Sequence, residues 1–186
     1  VPNVQTLQLQ VATAGKTETE VDDTHHRLEL PNSNTLIFRQ INTAKSGQYT
    51  ITKTYVTDPR RNTVLIDLDF NTRVPAELYV YYDPSLNNSG MHDSAWTEDD
   101  ALLAVDKNIA SALISSCGFT RATGRANGNV VQTAILKQKR CTLALGFGAN
   151  TGQASAAARS SLARGFEVIR REYEDGWQKY VATLPR

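Results

Sequence analysis

Residues 63–70 read TVLIDLDF: Val64, Ile66, Leu68 and Phe70 alternate with Leu65, Asp67 and Asp69. A two-residue apolar period marks a strand with one face buried; a helix would scatter these side chains round its circumference. The pattern recurs along three quarters of the chain. Leu7, Leu9 and Val11 alternate with Gln8 and Gln10. Residues 35–42 and 48–57 form two further runs, joined by the polar, glycine-containing Ala44-Lys45-Ser46-Gly47, and are expected to pair as a hairpin. Runs at 77–82, 102–106, 110–115, 130–136 and 141–147 complete the set. Strands every eight to twelve residues, with no helix between them, predict antiparallel sheets packed as a sandwich.

The end of the chain has another period. Leu162, Phe166, Ile169, Tyr173, Trp177, Tyr180 and Leu184 recur at three- and four-residue spacing, the stripe of an amphipathic helix. Asn150, with Gln153 three positions later, is a cap signal at its start. Glu167 with Arg171 and Arg170 with Glu174 have i,i+4 spacing. Gly165 and Gly176 interrupt the pattern and are expected to mark breaks, and Pro185 stops it. The chain therefore divides into sheets at 1–149 and a helical tail at 150–186, within a single domain. The stripe is expected to pack on the sheet and to lead towards another domain.

Twenty basic residues stand against nineteen acidic, with no long run of either sign. That excludes an extended nucleic-acid surface. No apolar stretch is long enough for a transmembrane helix. No signal peptide is visible, so the compartment stays open between secreted and cytoplasmic. The first residues, Val1-Pro2, lack an initiator methionine, which points to a processed product or a segment of something longer. Cys117 and Cys141 are too few for a disulfide framework; they read as buried thiols, or as one bridge if their strands are neighbours.

The stretch YYDPSLNNSGMHDSAW, residues 81–96, collects the most chemically suggestive side chains. Asp83, Asp93, Glu98, Asp99 and Asp100 are contingent catalytic candidates. Glycoside hydrolysis needs two carboxyl groups, standing about 6.5–9.5 Å apart when the mechanism inverts. Trp96, expected in a loop, and His92 are candidate sugar contacts, Trp96 as a stacking platform. Tyr79 and Tyr81 share one face of their strand and Tyr82 takes the other, which cross-strand packing explains. Pro84, Asn87, Asn88 and Gly90 explain a turn without chemistry. Asn87-Asn88-Ser89 is also a formal glycosylation sequon. His25 and His26, adjacent in a strand, point to opposite faces and do not easily chelate one ion, even with Asp22, Asp23 and Glu29 near them in sequence. No metal and no cofactor is expected. Gly124, Gly128, Gly146 and Gly148 lack the strand–turn–helix context of a phosphate site and read as loop glycines.

Several longer stretches carry a family likeness. NTAKSGQYTITKTYVTDPRRNTVLIDLDF (42–70), LYVYYDPSLNNSGMHD (78–93), TLALGFG (142–148) and SLARGFEVIRREYEDGWQKYVATLP (161–185) resemble the N-terminal domain, domain N, of prokaryotic glucoamylases and glucodextranases of glycoside hydrolase family 15. VPNVQTLQLQV and DDTHHRLEL are similar to the same domain. The resemblance implies a large, supersandwich-like antiparallel fold that precedes an (α/α)6 catalytic barrel and packs against it. It implies inverting hydrolysis of α-glucans or dextran by two glutamates of that barrel, so no catalytic residue transfers to this chain. Strands that precede the Val1 position in the family have no match, and residues 115–139 look short. Either departure leaves a sheet edge open to another copy.

Three functions follow. The first is a non-catalytic module whose partner is the helical-barrel domain of a parent enzyme. The second is an autonomous glycosidase that uses the carboxylates named above on an α-glucan or other glucoside. The third is a carbohydrate-binding module centred on Trp96.

Overall fold

The computed structural model describes residues 2–123 and 126–185; Gly124 lies outside them. Among the described residues, fourteen strands precede two α-helices. They are β1 (Val4–Thr13), β2 (Lys16–Thr19), β3 (Thr24–Glu29), β4 (Phe38–Ala44), β5 (Tyr49–Thr57), β6 (Thr63–Thr72), β7 (Glu77–Pro84), β8 (Asp93–Glu98), β9 (Ala101–Asp106), β10 (Ile109–Ser115), β11 (Phe119–Thr120), β12 (Ala126–Gly128), β13 (Gln132–Leu136) and β14 (Arg140–Gly148), then α1 (Thr151–Arg164) and α2 (Phe166–Ala182). All described pairings are antiparallel. Five strands form one sheet in the order β11-β13-β7-β1-β2, and nine form the other, β12-β8-β9-β10-β14-β6-β5-β4-β3.

The alternation of β6 shows how the layers are built. Ile66, Leu68 and Phe70 turn inward to meet Leu9, Val11, Val80 and Tyr82 of the smaller sheet. Leu65 turns outward, where Val56, Phe166 and Ile169 cover it. Further along the same outer face, Ala154 and Ala158 of α1 pack on Leu103, Ala112, Ile114 and Ala144. The fold is thus a two-sheet sandwich with a helical layer on one side. The β4–β5 hairpin forms at the expected turn, where Gly47 adopts φ +71°.

Gly146 and Gly148 are strand residues of β14, not loop glycines. A Cβ on Gly146 would lie 2.4 Å from the Ala154 carbonyl oxygen, and one on Gly148 would lie 2.6 Å from Gln153 Cβ. Their bare backbones let α1 lie directly on the sheet. The cap signal before α1 is real and reciprocal: Asn150 Oδ1 accepts from Gln153 N, and Gln153 Oε1 accepts from Ala149 N.

The helical stripe is split in two. Gly165 takes φ +83° and ends α1, whereas Gly176 continues inside α2. The Arg170–Glu174 pair forms, but Glu167 takes Arg170 rather than Arg171 as its ionic partner. Other differences are local. β4 begins at Phe38 because Asn32 closes a turn, its carbonyl accepting from Thr35 N. β13 begins at Gln132. β2 and β3 add strands before the first expected hairpin. Residues 93–98 are strand β8, so Trp96 sits in a sheet and not in a loop.

Candidate functional site

The candidates of residues 81–100 fall into two groups: Asp83 and Asp93 come together in the interior, apart from Glu98, Asp99 and Asp100. Asp83 ends β7 and Asp93 opens β8, both buried; Glu98, Asp99 and Asp100 lie at the other end of β8, all exposed. Five residues of strand separate Asp93 from Glu98 by about 17 Å, well beyond the spacing of an inverting pair.

Asp93 has no exposed surface. Neither of its carboxylate oxygens has a hydrogen-bond partner among the described residues, and nor does Asp83 Oδ1. Burial, together with the charges of Asp106 and Asp83, pushes Asp93 up to about 6. The Leu86 amide offsets this only partly, lying outside normal hydrogen-bond geometry. Burial also raises Asp83. Asn87 closes the cluster by donating from Nδ2 to the Asp106 carbonyl at 3.1 Å and carboxylate at 3.0 Å. The sequon asparagine is therefore already engaged inside the fold. Asn87 and Asn88 both adopt positive φ, near +57°, as the turn reading requires.

At the far end, Asp100 pairs with Arg159 of α1 at 2.8 Å, and the Asp99 carbonyl accepts from the same guanidinium. Trp96 is half-buried, packs on the alanine layer near Leu162, and donates from Nε1 to Glu98 at 3.0 Å. His92 is exposed and bonds to Ser89 Oγ at 2.8 Å. Tyr82 fills the core and shares a 2.7 Å hydrogen bond with Ser111. His26 is held by Asn42 Oδ1 and the Val21 carbonyl. Among the described residues no group of three or more His, Cys, Asp or Glu side chains is placed to hold a metal ion.

A different surface stands out on α2. The first turns of the helix are fixed by Phe166 and Ile169. Beyond them Tyr173, Trp177 and Tyr180 stack edge to face, with ring centroids 6.2 and 5.7 Å apart. With Thr57, Pro59, Glu172 and Gly176 they line an apolar groove of about 360 Å³. Gly176 meets no other atom at the position of a Cβ, so its lack of a side chain leaves that wall open. Tyr180 is 56% exposed and Leu184 47%, which leaves the far end of the stripe uncovered.

A polar clamp holds this groove in place. Asp58, 4% exposed, accepts from Ser161 Oγ at 2.7 Å, Arg60 N at 2.9 Å and Arg61 Nη1 at 3.2 Å. Burial pushes its carboxyl up, but these donors outweigh that and hold it below the usual carboxylate range. Arg164 of α1 reaches Asp58 at 3.8 Å and pairs with Glu172 of α2, which also takes Arg60 at 3.0 Å. Arg164 and Arg60 lower Glu172. The β5–β6 turn, α1 and α2 are thereby tied at one corner. The residues Asp58-Pro59-Arg60-Arg61-Asn62 have the composition of a turn; their partners about a hundred positions later carry no local signal.

The sequence matches the family described as glucodextranase, domain N, in two pieces, residues 1–125 and 122–182, that meet within the stretch expected to be short. A glucoamylase from Clostridium sp. (strain G0005) is 25% identical over an alignment that covers 98% of this chain and 32% of the relative. The crystal structure of a bacterial glucoamylase complexed with acarbose superposes with a TM-score of 0.93 at 23% identity, over 98% of this chain and 32% of that one. The chain thus spans about a third of the length of the glucoamylases it matches. Matched along nearly its whole length, this chain belongs to the glucodextranase domain N family.

Proposed function

We propose that this domain is the non-catalytic sandwich of an α-glucan hydrolase and that it docks on a helical catalytic barrel through the aromatic face of α2. The observation that carries the reading is the uncovered stripe Tyr173, Trp177, Tyr180 and Leu184, continuous with the groove over Pro59. Exposed aromatic groups beside an apolar groove are typical of the core of a protein interface. The match to one third of glucoamylase-length relatives supports a larger parent. The burial of Asp83 and Asp93, and their separation from the exposed Glu98, Asp99 and Asp100, support a structural role rather than a catalytic one.

Two measurements test this. The purified chain should release no glucose from soluble starch, maltose or dextran, and the parent reading frame should encode a helical domain beyond residue 186. Glucose release that is lost when Glu98 and Asp100 are changed to amides would establish the autonomous enzyme instead. A stop codon directly after residue 186 would remove the docking partner.

A further inference from the structure

We infer that Cys117, in the turn after β10, and Cys141 of β14 are a neighbouring dithiol that closes to an intrachain disulfide by exchange with a small-molecule disulfide. The ladder between β10 and β14 sets Ser115 opposite Leu143. It continues one rung further, where Ser116 N donates to the Thr142 carbonyl at 2.9 Å and Thr142 N donates to Ser116 Oγ at 2.9 Å. There the ladder ends: Ser116 and Cys117 lie in a turn closed by Gly118 N donating to the Ser115 carbonyl at 3.1 Å. Cys141 belongs to the main core, and this turn packs Cys117 against it. Cys117 is close enough to act on the Cys141 thiol, and closure requires Cα atoms about 4.4–6.8 Å apart.

The two thiols differ in access. Cys141 is 8% exposed, and burial, with Cys117 and Asp67 adding to it, raises its thiol to about 12. Cys117 is half-buried at a turn, its Sγ 3.1 Å from Ser115 Oγ. Gly118, at φ +77°, turns the chain away immediately after it. Cys117 is therefore the thiol that meets an external reagent, and Cys141 is the one that resolves. An open depression shared by Asp67, Asp69, Ser116, Arg140 and Thr142 borders Cys141.

In the first step the Cys117 thiolate attacks one sulfur of the external disulfide, forms a mixed disulfide and expels one thiolate. In the second, Cys141 loses its proton, attacks Cys117 Sγ and expels the other thiolate. The two cysteines lose two protons and two electrons together; the reagent takes up both and leaves as two thiols. The bond joins the end of β10 to its neighbour β14 in the larger sheet and closes a loop that contains β11 and β13 of the smaller sheet and β12 of the larger one. Constraining the unfolded chain in this way raises stability.

The test is incubation of the reduced full chain with excess oxidised glutathione, an acid quench, intact-mass measurement and peptide mapping. The expected product is the chain less two hydrogens, with residues 117 and 141 linked, two glutathione thiols released per chain and a raised thermal midpoint. Cys141→Ser should stop as a glutathione adduct on Cys117, and Cys117→Ser should stay unmodified over the same period. A wild-type chain that ends as the adduct, as a linked pair of chains, or with both thiols free would overturn the inference, and none of these readings depends on a variant that folds.

Discussion

Ser161 Oγ donates a 2.7 Å hydrogen bond to Asp58 Oδ2, joining α1 to a turn 103 positions earlier. This contact sits at the centre of the corner that fixes both helices. Replacing Asp58 with alanine strips the donors of Ser161, Arg61 and the Arg60 amide of their acceptor. The expected loss is about 2–3 kcal/mol at pH 7, read from urea unfolding. The pH dependence has a definite sign. Asp58 is held below its unfolded value, so its contribution is full above that value and vanishes as pH falls through the folded one. The difference between wild type and Asp58→Ala should shrink below about pH 4. An unchanged difference at pH 3 would remove Asp58 from the clamp.

Asp93 behaves in the opposite way. Its folded value near 6 lies above the unfolded one, so the folded state holds the extra proton, and stability falls as pH rises between the two. Asp93→Asn should abolish this slope between roughly pH 4 and 6 and stabilise the chain by about 1–2 kcal/mol at pH 8. A variant that is less stable at pH 8 than at pH 5, as the wild type should be, would show that another group sets the slope.

Lys53 and Glu20 form a 2.7 Å ion pair between the sheets, with side chains 6% and 3% exposed. Glu20 is also held by Leu9 N and by Asn42 Nδ2. Lys53→Met should cost about 3–5 kcal/mol because it leaves the carboxylate charged and buried. Adding Glu20→Gln should recover a large part of that loss, and a denaturation cycle over the four proteins measures the coupling. Purely additive losses would mean that the pair is not a unit.

Gly146→Ala inserts a methyl group where the Ala154 carbonyl stands. The helix must lift from β14, with an expected loss of about 1–3 kcal/mol or more and weaker amide protection across α1 in hydrogen exchange. Wild-type stability in this variant would show that α1 rides loosely on the sheet.

Trp177→Ser offers a contrast. The indole touches Tyr173 and Tyr180 but is only half covered, so the isolated chain should lose about 1 kcal/mol or less. In a longer parent protein the same change should uncouple the unfolding of this domain from that of its neighbour, visible as a second calorimetric transition. A single unchanged transition there would move the docking surface elsewhere.

The sheets were legible wherever one face is apolar. β1, β5, β6, β7 and β14 all carry two-residue alternation, and the family likeness supplied their arrangement. β8 was hidden because Asp93, Ser94, Thr97 and Glu98 give it a polar outline, while its inward contact rests on the single small Ala95. The stripe of α2 was plain from its period, and Gly165 was flagged as a break. The burial of Asp83 and Asp93 was not legible, because their identities signal exposure and nothing local shows that β1 lies beside Asp83 and β12 beside Asp93. The clamp at Asp58 was equally silent, since it joins residues with no shared local pattern.

The positive φ of Gly165 has a mechanical consequence. α2 runs 17 residues from this joint, about 25 Å at 1.5 Å per residue, and only its first turns are gripped by Val56 and Leu65. It acts as a lever with its pivot at one glycine. A rotation of roughly 10° there would sweep Ala182 through about 4 Å, by simple arc length over that span. The Arg60–Glu172–Arg164 contacts grip the lever about a third of the way along, and so set the angle at which its tip points away from the sheet.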